Sequence, residues 1–386
     1  MKTVGIIASS SLSGGNNVIF EHILGIHKRN NLTPILIFPK ELKDEELAWF
    51  PGIEKVSRIT IEEAKSKFFD VLVCTFWRSC YQAYLIDADS YLYFNQSVES
   101  RFYPIEDFNT RNLAEATYLL GFNIITEANW IKNYVKENYG LEAELVLNGI
   151  RKENYCPNGK KIEKNNPNSL RVLVEGNITS SFKNIPKTIE ICKTSKADEI
   201  WLLTNSDIEH YKGVDRIFSN IPVNQTQEIY RSCDILVKLS TIEGMFGPPL
   251  EMFHCGGTAI TYNVTGHDEY MKHGYNGYVV DMHQENEVIK CINYLKDNPE
   301  TLQQLKNNAI KTAKNWHDWD FASIEFEKAI LKCLEKKQTN KTILSQKTKI
   351  LTEWFNKTQE TIDINNNIQK KIGLRVHNFL KSLLQK

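Results

Sequence analysis

The 386-residue chain has no surplus charge, with 47 Lys/Arg against 47 Asp/Glu. General nucleic-acid binding is thereby disfavoured, since it needs excess cations to displace counterions from a phosphate backbone. No apolar run approaches the roughly 20 residues that a membrane-spanning helix requires. The eight cysteines stand singly, with no C-x-x-C pair and no Cys/His group at metal-ligand spacing. A reduced, cytoplasmic chain fits that pattern better than a disulfide scaffold or a zinc module. Residues 1–8 hold one Lys and a very short apolar run, too little for a secretory signal and suited to a buried first strand. There is no repeat of 20–50 residues. Neither G-x-G-x-x-G nor G-K-[ST] occurs at the first strand, which argues against NAD and ATP as ligands.

What is present is alternation. In the first 155 residues short apolar runs at 4–8, 34–38, 70–75, 91–94, 123–126 and 144–147 predict strands. Amphipathic stretches at 18–28, 81–86, 112–121 and 130–139 predict helices between them. Residues 158–168 are polar, with almost nothing to bury, and read as a linker. The alternation then restarts, with strands expected at 170–175, 199–203, 216–218, 235–239, 258–262 and 277–280. Strand–helix alternation with short connections predicts parallel sheets covered on both faces. Two such domains place a ligand in the cleft between them, at the carboxyl ends of the strands.

Two loops carry candidate chemistry. Residues 9–17, containing Gly14 and Gly15, separate the first strand from the first helix. Glycine there lets backbone approach a ligand, and a helix N-terminus favours an anion. The second is Ser240-Thr241-Ile242-Glu243-Gly244-Met245-Phe246-Gly247-Pro248-Pro249-Leu250-Glu251, which follows a buried strand and turns helical near Pro249, a residue suited to a first helical turn. Two carboxylates on a Gly-rich turn suit a ligand with a phosphate for the backbone amides and hydroxyls for Glu243 and Glu251.

Glu243 through Glu251 resembles the E-x7-E signature of retaining GT-B glycosyltransferases, family 4 (glycosyl transferases group 1). Cys255-Gly256-Gly257-Thr258-Ala259-Ile260, Gly266-His267-Asp268-Glu269, Gly274-Tyr275-Asn276-Gly277-Tyr278-Val279-Val280 and Asn148-Gly149-Ile150 resemble further blocks of that family. The resemblance spans most of residues 3–335. It implies an α/β GT-B fold, two Rossmann-like doubly wound domains facing a cleft. The expected organisation is an acceptor-side domain at 1–157, a linker at 158–168 and a nucleotide-sugar domain at 169–315. A helix at 316–336 then crosses back to the first domain. A narrower resemblance, carried by Gln96-Ser97-Val98-Glu99-Ser100-Arg101-Phe102-Tyr103-Pro104, Ala116-Thr117-Tyr118, Trp130 and residues 248–252, is to rhamnosyltransferases of bacterial surface glycans.

The resemblance implies transfer of a sugar from a nucleoside-diphosphate sugar to a glycan or lipid-linked acceptor, with retention and without a cofactor or a bound metal. It gives Glu243 and Lys183 catalytic roles toward donor sugar and diphosphate. Glu251 would hold the ribose. Gly14, Gly15, Gly176, Asn177, Gly244, Met245, Phe246, Gly247, Pro248 and Leu250 complete the donor side, and Gln96 and Glu99 stand on the acceptor side. Asn177 occupies a place where the family usually has Arg, and Gln96 one where it often has His. Arg231 and Lys238 are candidates to replace the missing cation, or else surface charges. His22 and His27 read as surface or packing residues, and His254 and His267 as structural ones. A catalytically silent GT-B subunit stabilising a partner enzyme is the alternative, and a GT-B nucleotide-sugar epimerase a third.

The tail at 337–386 holds ten Lys/Arg against three Asp/Glu. Ile343, Leu344, Ile350, Leu351, Trp354 and Phe355 predict one helical stripe. A second helix would carry Ile368, Ile372, Val376, Phe379, Leu380, Leu383 and Leu384, with Lys370, Lys371, Arg375, Lys381 and Lys386 mostly elsewhere. Such a basic amphipathic helix suits an anionic membrane surface, a homo-oligomer or partner contact through 338–386, or packing on the body. The expected location is cytoplasmic, peripheral on the inner membrane face.

Overall fold

The computed structural model describes residues 1–336 and 339–384, with side chains through Lys370. The first sheet is built from β1 (Lys2–Ile7), β2 (Leu32–Phe38), β3 (Ser57–Thr60), β4 (Phe68–Cys74), β5 (Asp87–Asn95), β6 (Asn123–Thr126) and β7 (Ala143–Leu145). All neighbours pair in parallel, in the order β3-β2-β1-β4-β5-β6-β7. Helices α1 (Gly14–Arg29), α2 (Ile61–Ala64), α3 (Trp77–Cys80), α4 (Phe108–Ala116) and α5 (Asn129–Tyr139) join the strands. Central strands are buried on both faces, which explains runs such as the Val71-Leu72-Val73-Cys74 segment, each at most 1% exposed.

The second sheet repeats the plan with β8 (Arg171–Glu175), β9 (Glu199–Thr204), β10 (Arg216–Ser219), β11 (Ile235–Lys238), β12 (Thr258–Tyr262) and β13 (Gly277–Val280). Its order is β10-β9-β8-β11-β12-β13, again parallel throughout. Helices α6 (Ile185–Thr194), α7 (Thr226–Arg231), α8 (Gly247–His254), α9 (Glu285–Asp297) and α10 (Pro299–Asn315) accompany it. In each sheet the chain reverses its direction of winding between two central strands, β1 and β4 in one and β8 and β11 in the other. The loops leaving those four strands therefore diverge and open a crevice, the usual place for a ligand in doubly wound sheets.

Three differences from the sequence reading have physical causes. Strand β3 was not expected, because it is an edge strand with no fully buried residue and so no apolar run. Helix α1 begins at Gly14 rather than residue 18. Ser13 caps it by accepting the Asn16 N–H at 3.2 Å, which outweighs the poor helix propensity of Gly-Gly-Asn-Asn. Gly14 and Gly15 thus form the first helical turn instead of a loop. The third difference is the tail, a single helix, α12 (Lys341–Leu384), rather than two.

Residues after the second sheet return to the first. Helix α11 (Trp319–Leu334) lies along α1. Arg29 donates to Glu327 at 2.9 Å, to the Ser323 hydroxyl at 2.8 Å and to the Ser323 carbonyl at 2.8 Å. His22 is fully buried and stacks on Phe326 with centroids 4.3 Å apart. Burial pushes its imidazole down to about 3, so it packs as a neutral ring. The start of α12 also packs on the first domain. Leu344 is fully buried, and Leu351 and Phe355 meet Trp77, Leu113 and Ala114. Asn109 donates to the Phe355 carbonyl at 3.1 Å. The expected single stripe is split, since Ile343, Ile350 and Trp354 face away and are 44–66% exposed. Residues 363–370 are all exposed. The basic apolar face expected from Ile372 to Leu384 lies outside the described side chains. No helix among the described residues is long and apolar enough to cross a membrane.

The α1–α11 contact has no room to spare. A Cβ on Gly25 would sit 2.2 Å from the Ser323 hydroxyl and 2.6 Å from its Cβ. Gly25→Ala is expected to destabilise the chain by about 1–3 kcal/mol through overpacking. Urea unfolding followed by tryptophan fluorescence measures this, and an unchanged midpoint would show that α11 shifts freely on α1.

Candidate functional site

The four loops at the two reversal points enclose a cavity of about 930 Å³ between the domains. From the second domain, β8 ends in Glu175-Gly176-Asn177 and the following turn supplies Lys183. Strand β11 ends in Lys238, and the loop after it supplies Glu243, Gly244, Met245, Gly247 and Pro248 before α8 brings Glu251. From the first domain come Gly14 and Gly15 at the start of α1, Arg78 after β4, and Gln96, Glu99 and Glu127. Of the site residues expected from sequence, Phe246 and Leu250 do not reach the cavity with their side chains. Both are fully buried in packing.

The second-domain wall is a charge network. Lys183 donates to both oxygens of Glu243 at 2.8 and 2.9 Å. Lys238, only 2% exposed, bonds the Glu175 carboxylate and lies 3.9 Å from Glu243. Burial alone would raise the Glu243 carboxyl, but the two ammonium groups overcome it and hold the group below its ordinary value. Glu251 has the opposite fate. Burial, aided by the charge of Glu175, pushes it up to about 7 against a hydrogen bond from Tyr230. Two carboxyls eight residues apart therefore differ in protonation because only one of them faces both lysines.

Of the two candidate cations, Lys238 lines the cavity. Arg231 does not, because its guanidinium donates to the carbonyls of Asn154 and Lys160 at 2.8 and 2.9 Å and is committed to the interdomain connection. The Asn177 carboxamide turns toward Asn205 and Thr179. Two of the loop amides expected to take a phosphate are occupied: Met245 N–H donates to Glu127 at 3.0 Å and Gly247 N–H to the Met245 carbonyl at 3.0 Å. Pro248 and Pro249 have none. Positive charge for an anion comes here mainly from side chains.

The loop 243–245 is held by the opposite domain. Trp130 Nε1 donates to the Gly244 carbonyl at 2.9 Å, and Asn148 Nδ2 reaches the other Glu127 oxygen at 3.0 Å. Gly244 is required by close approach, because a Cβ there would lie 2.0 Å from the Gln96 carbonyl and 2.8 Å from Glu127. Asn129 N–H and Nδ2 bond Glu269 at 2.6 and 2.8 Å, and Asn205 Nδ2 donates to the Leu12 carbonyl at 2.9 Å. Glu127, Glu175 and Glu21 were not expected from sequence. Their only signal was a carboxylate at or just after a strand end, or on the inner face of α1, which many surface residues share. Burial raises Glu127 to about 7 and Glu21, despite its Arg151 partner, to about 7.

On the first-domain wall, the Gln96 carboxamide lies over Gly15. Glu99 accepts the Trp77 N–H at 2.6 Å, and burial pushes its carboxyl up to about 8. His254 is buried and His267 binds the Val264 carbonyl through Nδ1 at 2.6 Å. Neither lines the cavity.

Residues 216–312, from β10 into α10, match the family model described as Glycosyl transferases group 1. A search of curated proteins finds no match. Among solved structures, the chain is similar to HepE of Anabaena in complex with UDP-glucose, at 12% identity and a TM-score of 0.69, over 86% of this chain and 100% of that one. It is also similar to a TarM variant of S. aureus in complex with Fondaparinux, alpha-GlcNAc-glycerol and UDP, at 10% identity and a TM-score of 0.68, over 86% and 100%. A glycosyltransferase from Rickettsia africae ESF-5 aligns at 15% identity and a TM-score of 0.66, over 87% and 99%. The fold is thus the GT-B arrangement, two Rossmann-like domains on one cleft.

The protonation of Glu251 has a measurable sign. Its carboxyl ionises near 4.5 in the unfolded chain and near 7 in the fold. Between those values the unfolded state releases a proton that the native state keeps, so stability falls as pH rises through that window. Gln cannot ionise. Glu251→Gln is therefore expected to gain roughly 1–3 kcal/mol over the parent at pH 8 and nothing at pH 4. Urea unfolding at the two pH values decides it, and an equal difference at both would place Glu251 in contact with water.

Proposed function

We propose that the chain is a retaining glycosyltransferase that moves a sugar from a nucleoside-diphosphate sugar to a hydroxyl of a glycan or lipid-linked acceptor. The observation that carries this reading is the network of Lys183, Lys238, Glu175, Glu243 and Glu251 at the reversal point of the second sheet, facing the first domain across one cavity. A diphosphate would displace Glu243 from Lys183 and draw on both ammonium groups, which stabilise the negative charge that grows as the glycosidic bond to phosphate breaks. Freed, the Glu243 carboxylate accepts hydrogen bonds from donor-sugar hydroxyls. Glu251, deeper in the wall, meets the ribose. The family-model match over the second domain and the complexes of HepE with UDP-glucose and of TarM with UDP support the donor class. The two lysines supply the positive charge, so the proposal needs no divalent metal.

The finer reading is a hexosyl- or deoxyhexosyltransferase of bacterial surface-polysaccharide synthesis. It rests on the resemblance of residues 96–104 and 248–252 to rhamnosyltransferases. Asn177, an uncharged residue in the cavity lining with its carboxamide bonded to Asn205, favours a silent partner subunit as the second reading. Calorimetric titration with UDP, GDP and dTDP is expected to show binding to at least one of them, unchanged by chelator. With the matching nucleotide sugar, Glu243→Gln is expected to lower transfer by about 2–4 kcal/mol of transition-state stabilisation, a 30- to 1,000-fold loss, with the fold intact. Absence of all nucleotide binding sinks the proposal, nucleotide binding without transfer shifts the assignment to the silent subunit, and full activity of Glu243→Gln removes Glu243 from the transfer step.

We further propose that residues 338–386 hold the enzyme at an anionic membrane surface. Helix α12 leaves the first domain after its packed part, and residues 370–386 carry five Lys/Arg and no acid. Each cation near an anionic leaflet contributes up to about 1 kcal/mol. Sedimentation with liposomes containing phosphatidylglycerol is expected to show salt-sensitive binding that a chain truncated after residue 362 lacks. Binding that survives truncation, or a full-length oligomer that ignores liposomes, would replace the membrane role.

A further inference from the structure

Arg78 sits on the first-domain wall of the cavity and belongs to none of the networks described above. It lies in α3, the short helix directly after β4, at the reversal point of the first sheet. Its backbone is pinned on both sides. The preceding Phe76 N–H donates to the Ser79 hydroxyl at 3.3 Å and Trp77 N–H donates to buried Glu99 at 2.6 Å. The Trp77 ring is 2% exposed and fixed by its Nε1 donating to the Tyr103 hydroxyl at 3.1 Å. The Arg78 guanidinium lies over that fixed ring, 4.6 Å from its centroid, and remains exposed to the cavity. A cation on an aromatic plate keeps its edge N–H donors free for a planar or tetrahedral anion.

The neighbouring charges leave Arg78 unopposed. Among the described residues no carboxylate lies within ion-pair distance of it, whereas Arg29 pairs with Glu327, Arg58 with Asp44 and Arg151 with Glu21. Arg111 donates to the Tyr103 carbonyl at 2.8 Å, and Arg101 lies over Trp130 and Tyr134. Lys183 and Lys238 stand on the other wall and are held by Glu243 and Glu175. The two carboxyls on the first-domain wall without an ion-pair partner, Glu99 and Glu127, are raised by burial to about 8 and about 7, so at neutral pH Glu99 is mostly protonated and Glu127 only about half ionised. Helix α1 also begins at this wall with no acid in its first turn. The apolar lining suits a sugar ring beside the anion. Phe76 is 37% exposed in the cavity, and Phe102 stacks on Phe182 of the opposite domain with centroids 5.1 Å apart.

We propose that Arg78, on its Trp77 plate, forms a subsite for a negatively charged group on the acceptor, a uronate carboxylate or a phosphate, and selects anionic over neutral acceptors. This inference rests on the reading of the cleft as a glycosyl-transfer site, with the donor on the second domain and the acceptor on the first. A guanidinium binds either anion in the same way, through two parallel N–H donors. Lysine at this position would keep the charge and lose the fork.

Three soluble probes that differ at one carbon separate the sources: octyl β-glucoside, octyl β-glucuronide and octyl β-glucoside 6-phosphate. All are used below their micelle concentrations. Their dissociation constants for the full-length protein are measured by saturation-transfer NMR, with UDP present and without it. At least one charged glycoside is expected to bind about tenfold more tightly than the neutral one. Whichever charged probe leads identifies the carboxylate or the phosphate as the natural group. In Arg78→Gln the preference is expected to vanish, and in Arg78→Lys to shrink to a few-fold. Arg78 is a surface side chain, and UDP affinity of both variants within twofold of the parent confirms an intact cleft. Equal affinity for all three glycosides, no binding of either charged one, or a preference that survives Arg78→Gln would overturn the proposal. UDP binding by the parent tests the donor reading separately, because its absence removes that reading whereas the ranking of the glycosides decides the role of Arg78.

Discussion

Everything in the cleft depends on where the Glu243-Gly244-Met245 loop rests. The loop is a second-domain segment, yet three of its closest partners, Gln96, Glu127 and Trp130, belong to the first domain. Because Gly244 has no side chain, the Gln96 carbonyl can approach its Cα closely, and the two domains meet backbone to backbone. That contact fixes the Glu243 carboxylate against Lys183. It also aligns the loop ends of both sheets on one cavity. A wider separation of the domains would leave Glu127 buried with no N–H from Met245, so closure and the polar satisfaction of that carboxyl are coupled.

The same closeness sets the electrostatics. Five carboxyls of the cavity, Glu21, Glu99, Glu127, Glu243 and Glu251, are buried at most points of their surface, and burial alone raises all of them. Only Glu243 is held low, because it alone faces two ammonium groups. Burial of this kind lowers the ionised fraction of these acids at neutral pH. Positive charge is divided between the walls, with Lys183 and Lys238 on the second domain and Arg78 on the first.

Helices α11 and α12 extend this arrangement outward. Through Arg29, Ser323 and Glu327, α11 ties the end of the second domain's sequence to the first helix of the first domain, a second link that runs behind the cleft. Helix α12 then packs beside Trp77 and Leu113, so the segment that leads to the basic tail is anchored to the same wall that holds Arg78. A membrane contact made by the tail would therefore bring the first-domain wall toward the surface.

The sequence by itself determined the two parallel sheets, because a strand buried on both faces must be a continuous apolar run and a crossover helix must be amphipathic. Edge strand β3, which obeys neither demand, was invisible. Glu243, Glu251 and the glycines between them drew notice as a Gly/Pro-rich turn between strand and helix, and Lys183 only through the family resemblance. Glu127, Glu175 and Arg78 have no local pattern at all. Glu175 and Arg78 are placed by the reversal of winding and Glu127 by the carboxyl end of β6, so that loops far apart in the chain meet at one crevice. Lys238 could be read as surface or site until the fold buried it against Glu175. Local propensity and periodicity fix elements over a few turns of chain. Which charge faces which is decided by long-range packing, because burial and the distance to an opposite charge, not residue type, set the state of a buried ionisable group.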